Sequence, residues 1–326
     1  MKKKYKLLIH LGLPKTATTS LQHNVFLRLH EEGVINYLGV AEIDNKIIHY
    51  PINAIIKELP KRRLTNIEAN KLRENLVPSL ESEKINILSD ENFSHSLLCD
   101  LDVLYFNLNT LFQFCEITCV ISLRSPVDYM FSLYVQMNWK FHYDKRFDNF
   151  EKFSAGVMSD PESKKYTEFF YDRYLNLVDR FFNKKIVLLY EDLIHDSEYY
   201  FEILSKVTGV EKSKIQKYFL DKRLNEKKIH REGKYSQPPN FKMYLSHRLN
   251  WLKLPFFRRS YFLRLVYRNL QKMAKYIPFG DEKLHVYPEH VRENELFELL
   301  KVKDVKLFSD KHSLDVNKLI LYKYGK

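Results

Sequence analysis

His10-Leu11-Gly12-Leu13-Pro14-Lys15-Thr16-Ala17-Thr18-Thr19-Ser20-Leu21-Gln22 joins a short apolar run, Tyr5 to Leu11, to a stretch with apolar residues at helical spacing, Thr18 to Glu32. A buried strand, a turn carrying a lysine and a run of hydroxyls opening a helix make an anion site, because free backbone N–H groups and the positive helix end face the ligand. The stretch is not a nucleotide-triphosphatase loop of the G-x-x-x-x-G-K-[ST] kind. Counted from Gly12, the sixth position is Ala17 and the lysine slot holds Thr18; the lysine has moved into the turn, at Lys15. The β/γ-phosphate and magnesium chemistry of that motif is therefore not supported.

Working outward, further apolar runs read as strands: Lys84 to Leu88, ending at Ser89-Asp90-Glu91; Ile117 to Leu123, ending at Arg124; and Ile186 to Tyr190, ending at Glu191-Asp192. Val34 to Leu38 adds a short extended segment. Helical patterns fall at 67–80, 101–112, 126–140, 163–182 and 197–207, and residues 40–65, with Pro51 and Pro60, read as irregular. Strands alternating with helices predict an α/β fold, a three-layer α/β/α arrangement around a mostly parallel central sheet. Ligands in such sheets sit beyond the carboxyl ends of the strands, which here form a polar, ionisable rim.

The second informative junction is Leu123-Arg124-Ser125-Pro126-Val127-Asp128-Tyr129-Met130-Phe131-Ser132. Ser125 suits an N-cap, Pro126 the first helical position, and Asp128 falls three residues after the cap. Ser132 lies nearly two turns on, and so returns to the face that Arg124 borders. Arginine meets phosphate bidentately, and a serine hydroxyl donates beside it.

The two junctions in this order resemble the sulfotransferases that use 3′-phosphoadenosine 5′-phosphosulfate (PAPS) as donor, in particular the carbohydrate type. Their P-K-T-G-T-T-x-L-Q-like loop corresponds to Pro14-Lys15-Thr16-Ala17-Thr18-Thr19-Ser20-Leu21-Gln22, with Ala17 where glycine is usual. A methyl there is tolerated if φ is negative. The resemblance implies a P-loop NTPase-like sulfotransferase fold. It also implies that Pro14, Lys15, Thr16, Ala17, Thr18, Thr19 and Ser20 grip the 5′-phosphosulfate, and that Arg124 and Ser132 hold the 3′-phosphate. The basic turn Arg231-Glu232-Gly233-Lys234 would close the donor site through Arg231 and Lys234. Val187-Leu188-Leu189-Tyr190-Glu191-Asp192-Leu193 looks like the family's Y-E-D-L strand end, with carboxylates in a structural role. Phe308-Ser309-Asp310 and Tyr322-Lys323-Tyr324-Gly325 loosely echo the tail of carbohydrate sulfotransferases.

Lys15 would stabilise the leaving phosphate. Glu91 is favoured as general base, since glycan sulfotransferases place a glutamate at this strand end. Adjacent Asp90 competes; alternation along a strand allows only one of the two to face the site. His10 and His95 are further candidate bases, His49 and His142 lie in expected loops, and both carboxylates capping the next turn is the plain alternative. No metal is required, and PAP is the expected product.

The 326 residues carry 53 Lys+Arg against 41 Asp+Glu, a net +12, with 45% hydrophobic residues, which suits a globular protein and excludes a disordered one. Cys99, Cys115 and Cys119 are too few for a disulfide scaffold. The charge is uneven: from Gly233 to Gly280 there is no Asp or Glu, and there are ten bases among many aromatics. That segment reads either as a peripheral contact for a membrane surface or anionic glycan, or as helices solvating their bases. Elsewhere the chain is nearly neutral, so nucleic acid is not an expected partner. The expected organisation is a PAPS-binding core over 1–232, a basic, aromatic-rich and mainly helical insertion over 233–283, and a segment over 284–326 returning to the core. With no secretory signal or membrane span visible, a cytoplasmic location is expected, peripheral at the inner membrane face if 233–280 docks there. The alternatives to a sulfotransferase are an ATP-dependent small-molecule kinase, suggested by the acidic strand end Ser89-Asp90, and a non-enzymatic basic adaptor.

Overall fold

The structure, a computed structural model, describes residues 5–43, 46–49, 59, 62–141, 149–221, 229–230, 234–237, 269, 273 and 283–326. The chain divides into two units: 1–130, 160–225 and 294–326 form the first, and 131–159 and 226–293 the second.

The first unit is built on a five-stranded sheet in the order β2-β5-β1-β6-β7. Its strands are β1 (Tyr5–His10), β2 (Asn36–Tyr37), β5 (Ile85–Ser89), β6 (Cys115–Leu123) and β7 (Lys185–Leu189), all paired in parallel. The chain leaves β1 toward β2 and β5, then crosses to β6 on the other side. The carboxyl ends of β1 and β6 therefore flank the point where the strand order reverses, the place such sheets reserve for ligands.

Leu7, Leu8 and Ile9 in succession are at most 1% exposed, so both faces of β1 are covered. On one face Leu8, Ile87, Val120 and Leu188 pack with Leu21, Val25 and Leu29 of the first helix and with Tyr200, Phe201 and Leu204 of helix Ser197–Thr208. On the other lie helices Leu101–Phe112 and Tyr171–Asp179, whose Tyr105 and Tyr174 hydroxyls meet at 3.3 Å. The fold is the predicted three-layer α/β arrangement.

Local structure departs from the sequence reading in several places. Residues 40–65 are not simply irregular: β3 (Val40–Ile43) and β4 (Lys46–His49) form an antiparallel hairpin. The first helix, Thr18–Ser20 continuing to Leu27–Glu31, runs through a π-helical stretch, Leu21–Phe26. The pattern over 163–182 splits into a 3-10 segment, Lys164–Phe169, and the helix Tyr171–Asp179. A short helix, Tyr190–His195, starts as soon as β7 ends, with Glu191 and Asp192 in its first turn, where the helix dipole favours acids.

The second unit holds most of helix Pro126–Phe141, helix Phe150–Ser159 and a three-stranded antiparallel sheet of β8 (Ile229–His230), β9 (Lys234–Gln237) and β10 (Lys283–Val286). Phe131 packs edge-on against Phe150 and Tyr287, each with ring centroids 5.2 Å apart. Of the basic stretch 233–283, only Lys234–Gln237, Asn269, Met273 and Lys283 belong to the described residues, so the expected insertion there lies largely outside them.

If the β1 face carries the core, Leu8→Ala will cost about 2–5 kcal/mol in urea denaturation. Leu307→Ala, at a side chain 64% exposed, will stay within about 0.5 kcal/mol. Equal losses would contradict this placement of the core.

Candidate anion-binding active site

The β1 ladder continues past its strand: Leu11 N–H donates to the Val120 carbonyl at 2.8 Å and Leu13 N–H to the Ser122 carbonyl at 3.3 Å. The loop after β1 is thereby held along β6 as far as that strand's end. Gly12 is demanded by a close approach, since a Cβ there would sit 2.3 Å from the Thr18 methyl and 2.7 Å from His10 Nε2. The left-handed backbone falls on side-chain-bearing residues instead, with Lys15 at φ 70° and Ala17 at φ 63°. The condition under which the Ala17 methyl is harmless, a negative φ, is not met. A left-handed L-residue costs roughly 1–2 kcal/mol. Such a backbone just before a helix turns successive N–H groups inward into an anion-binding concavity.

The loop alternates in access. Pro14, Thr16 and Thr18 are buried, and Thr16 Oγ1 donates to the Leu13 carbonyl at 2.6 Å, folding the turn on itself. Lys15, Ala17, Thr19 and Ser20 are half-buried. Beneath the loop, His10 Nδ1 lies 2.7 Å from Ser89 Oγ and Nε2 lies 3.4 Å from Ser122 Oγ, while Gln22 Nε2 donates to Ser89 Oγ at 2.9 Å. Burial lowers the His10 pKa to about 4. The imidazole is thus a neutral strut between adjacent strands.

Arg124 follows β6, and its Nη1 donates to the Lys15 carbonyl at 3.4 Å, so the two junctions adjoin one another. Its guanidinium lies over the Tyr190 ring, 4.9 Å from the centroid, and its Nε is buried without a hydrogen-bond partner among the described residues. The Lys15 ammonium is held below its usual pKa, first by burial and then by Arg124, while Glu91 pulls it back up. Lys15, Arg124 and Glu91 therefore share one electrostatic neighbourhood, and the buried Glu191 carboxylate feels the Arg124 charge from its other side.

Asp90 and Glu91 lie beyond the strand, so strand alternation does not separate them; β5 ends at Ser89 and a 3-10 turn, Glu91–Ser94, begins. Asp90 caps that turn, its carboxylate accepting from Asn92 N–H at 2.9 Å and Asn92 Nδ2 at 2.7 Å. Glu91 is the one whose charge reaches Lys15. His95 turns its Nδ1 to the fully buried Glu168, at 3.0 Å.

Ser132 belongs to the second unit and is buried on helix Pro126–Phe141. Lys234 opens β9, with only its backbone described; His49 ends β4 in the same way; Arg231 and His142 lie outside the described residues. Among the described residues no group of three or more His, Cys, Asp or Glu could hold a metal ion, and no helix is long and apolar enough to cross a membrane.

Sequence reasoning missed Tyr171 and Glu168, and it met Tyr324 only within the tail stretch Tyr322-Lys323-Tyr324-Gly325, without its tie to Glu191. All three sit far along the chain from the residues they hold, with no local spacing to signal them.

No protein-family model matches this chain, and no characterised sequence does. Among solved structures it is similar to a sulfotransferase from Alicyclobacillus acidocaldarius, at 13% identity and a TM-score of 0.39, covering 81% of this chain and 98% of that one. It is similar also to the sulfotransferase domain from the curacin biosynthetic pathway, at 14% identity and a TM-score of 0.37, covering 69% of this chain and 81% of that one.

Ala17→Gly relieves the left-handed strain and returns some entropy to the unfolded chain, so a net gain of about 0.5–1 kcal/mol is expected in chemical denaturation. A loss would mean that the methyl contributes packing. For His10 the unfolded chain takes up its proton near pH 6.5, while the folded chain resists to about pH 4. The folded state therefore keeps this stability above pH 6.5 and loses up to roughly 3 kcal/mol of it as pH falls toward 4. Denaturation midpoints of His10→Gln across that window will fall less steeply than those of the wild type; an unchanged slope would place the titration elsewhere.

Proposed function

We propose that the chain is a PAPS-dependent sulfotransferase that delivers a sulfuryl group to a hydroxyl of a carbohydrate, of the surface-polysaccharide or glycolipid-precursor kind. One observation carries the reading: Lys15 and Arg124, from the loops after two neighbouring strands, adjoin each other, and the Glu91 charge acts on Lys15. Two cations beside a turn with left-handed backbone at Lys15 and Ala17 suit a ligand with more than one phosphate, and the unpartnered Arg124 Nε suits an oxygen acceptor.

PAPS, when bound, supplies an activated sulfuryl group and leaves as PAP. The loop from Pro14 to Ser20 offers its N–H groups and the Thr19 and Ser20 hydroxyls to the 5′-phosphosulfate. Lys15 stabilises the charge that develops on the bridging oxygen as the S–O bond breaks. Glu91 takes the acceptor hydroxyl proton as the new O–S bond forms. Arg124 serves the 3′-phosphate. No metal takes part in this scheme. The core over 1–232 holds the donor, and 233–280 makes a peripheral contact with the inner membrane face of the cytoplasm.

Transfer of labelled sulfate from PAPS to a panel of glycans and small alcohols tests the reading. Lys15→Ala and Glu91→Gln should each lower kcat by roughly 10²–10⁴-fold. Full activity in Glu91→Gln would move the base to Asp90 or His95, and no transfer by the wild type to any acceptor would discard the function.

A further inference from the structure

The peptide unit between Arg124 and Ser125 is clamped at both of its polar ends. The Arg124 carbonyl accepts from the Tyr171 hydroxyl, and the Ser125 N–H donates to Glu191 Oε1 at 2.8 Å. The other oxygen of that carboxylate, Oε2, accepts from the Tyr324 hydroxyl at 2.8 Å, and the Tyr171 and Tyr324 rings face each other at 5.8 Å. Tyr324 is fully buried and is itself fixed by the chain: its N–H donates to the Leu319 carbonyl and its carbonyl accepts from Val302 N–H, both at 2.8 Å.

In a capping box the side chain three residues into the helix accepts the cap residue's own N–H. For helix Pro126–Phe141 that position is Asp128, yet the Ser125 N–H goes to Glu191, from the turn after β7. The orientation of this helix start, and with it the stem of Arg124, is thus set by a buried carboxylate from elsewhere in the fold. Burial raises the Glu191 pKa, and the Ser125 N–H, the Tyr324 hydroxyl and the Arg124 charge offset it.

We propose that Glu191 and Tyr324 are positioning residues of the donor site, and that they aim the Arg124 guanidinium by locking the Arg124–Ser125 peptide plane. Neither touches the nucleotide. The inference rests on the reading of Arg124 as the 3′-phosphate ligand, and it adds that the affinity for that phosphate is tuned from the C-terminal segment.

The experiment compares binding of PAP with that of adenosine 5′-phosphate, which lacks the 3′-phosphate, by calorimetry on the full chain. Tyr324→Phe removes one hydrogen bond to a charged group and keeps the ring. It should weaken PAP about tenfold and leave adenosine 5′-phosphate within twofold. The KM for PAPS should rise with kcat retained. Should Tyr324→Phe fail to fold, Glu191→Gln keeps the shape and is expected to show the same selective loss, while Glu191→Asp should recover part of the wild-type preference. A wild type that prefers PAP, with variants that lose both nucleotides equally or neither, overturns the positioning role alone. A wild type without preference for PAP overturns the 3′-phosphate reading and this proposal with it.

Discussion

The site depends on the parallel pairing of β1 with β6, carried past the end of β1. Two hydrogen bonds, from Leu11 to Val120 and from Leu13 to Ser122, lay the first loop along the neighbouring strand until that strand ends at Arg124. Without them Lys15 and Arg124 would belong to separate turns. With them, the Lys15 carbonyl comes within reach of the guanidinium, and two cations distant in sequence act on one volume. Mutual repulsion of the two is tolerated because Glu91 draws on Lys15 from the end of β5, on the other side of β1.

What the sequence made legible follows from locality. The strand of Tyr5–His10, the helix that opens at Thr18 and the second junction at Arg124 are each written in consecutive residues, so apolar spacing and turn chemistry suffice to find them. The choice between Asp90 and Glu91 was not legible, because it turns on where β5 stops. The strand ends at Ser89, the Asp90 carboxylate caps the next turn at Asn92, and the Glu91 charge acts on Lys15. The hairpin of Val40–Ile43 and Lys46–His49 was equally hidden, since neither strand shows clean alternation and prolines follow closely. Contacts such as Tyr324 with Glu191, between residues with no shared pattern, lie beyond any reading of spacing.

The loop also shows where stability yields to function. Glycine is the residue that left-handed backbone favours, yet the glycine of this loop, Gly12, is spent on making room for His10 and Thr18. Lys15 and Ala17 carry the positive φ instead, at a cost comparable to a good hydrogen bond each. For Lys15 the cost goes with a half-buried side chain on which the Glu91 and Arg124 charges both act. For Ala17 nothing in the structure explains the methyl.

The C-terminal segment changes how the site must be understood. Glu191 is buried, and a buried carboxylate is tolerable only when its oxygens are satisfied. One is met by the Ser125 N–H within the sheet's own rim, the other only when Tyr324 has docked, held by Val302 and Leu319. A core lacking the tail would therefore contain the loop, the sheet and Arg124, but would leave Glu191 half satisfied beside the guanidinium. Tyr324 engages the second oxygen, so the last turns of the chain complete the set of contacts that fixes the Arg124–Ser125 peptide.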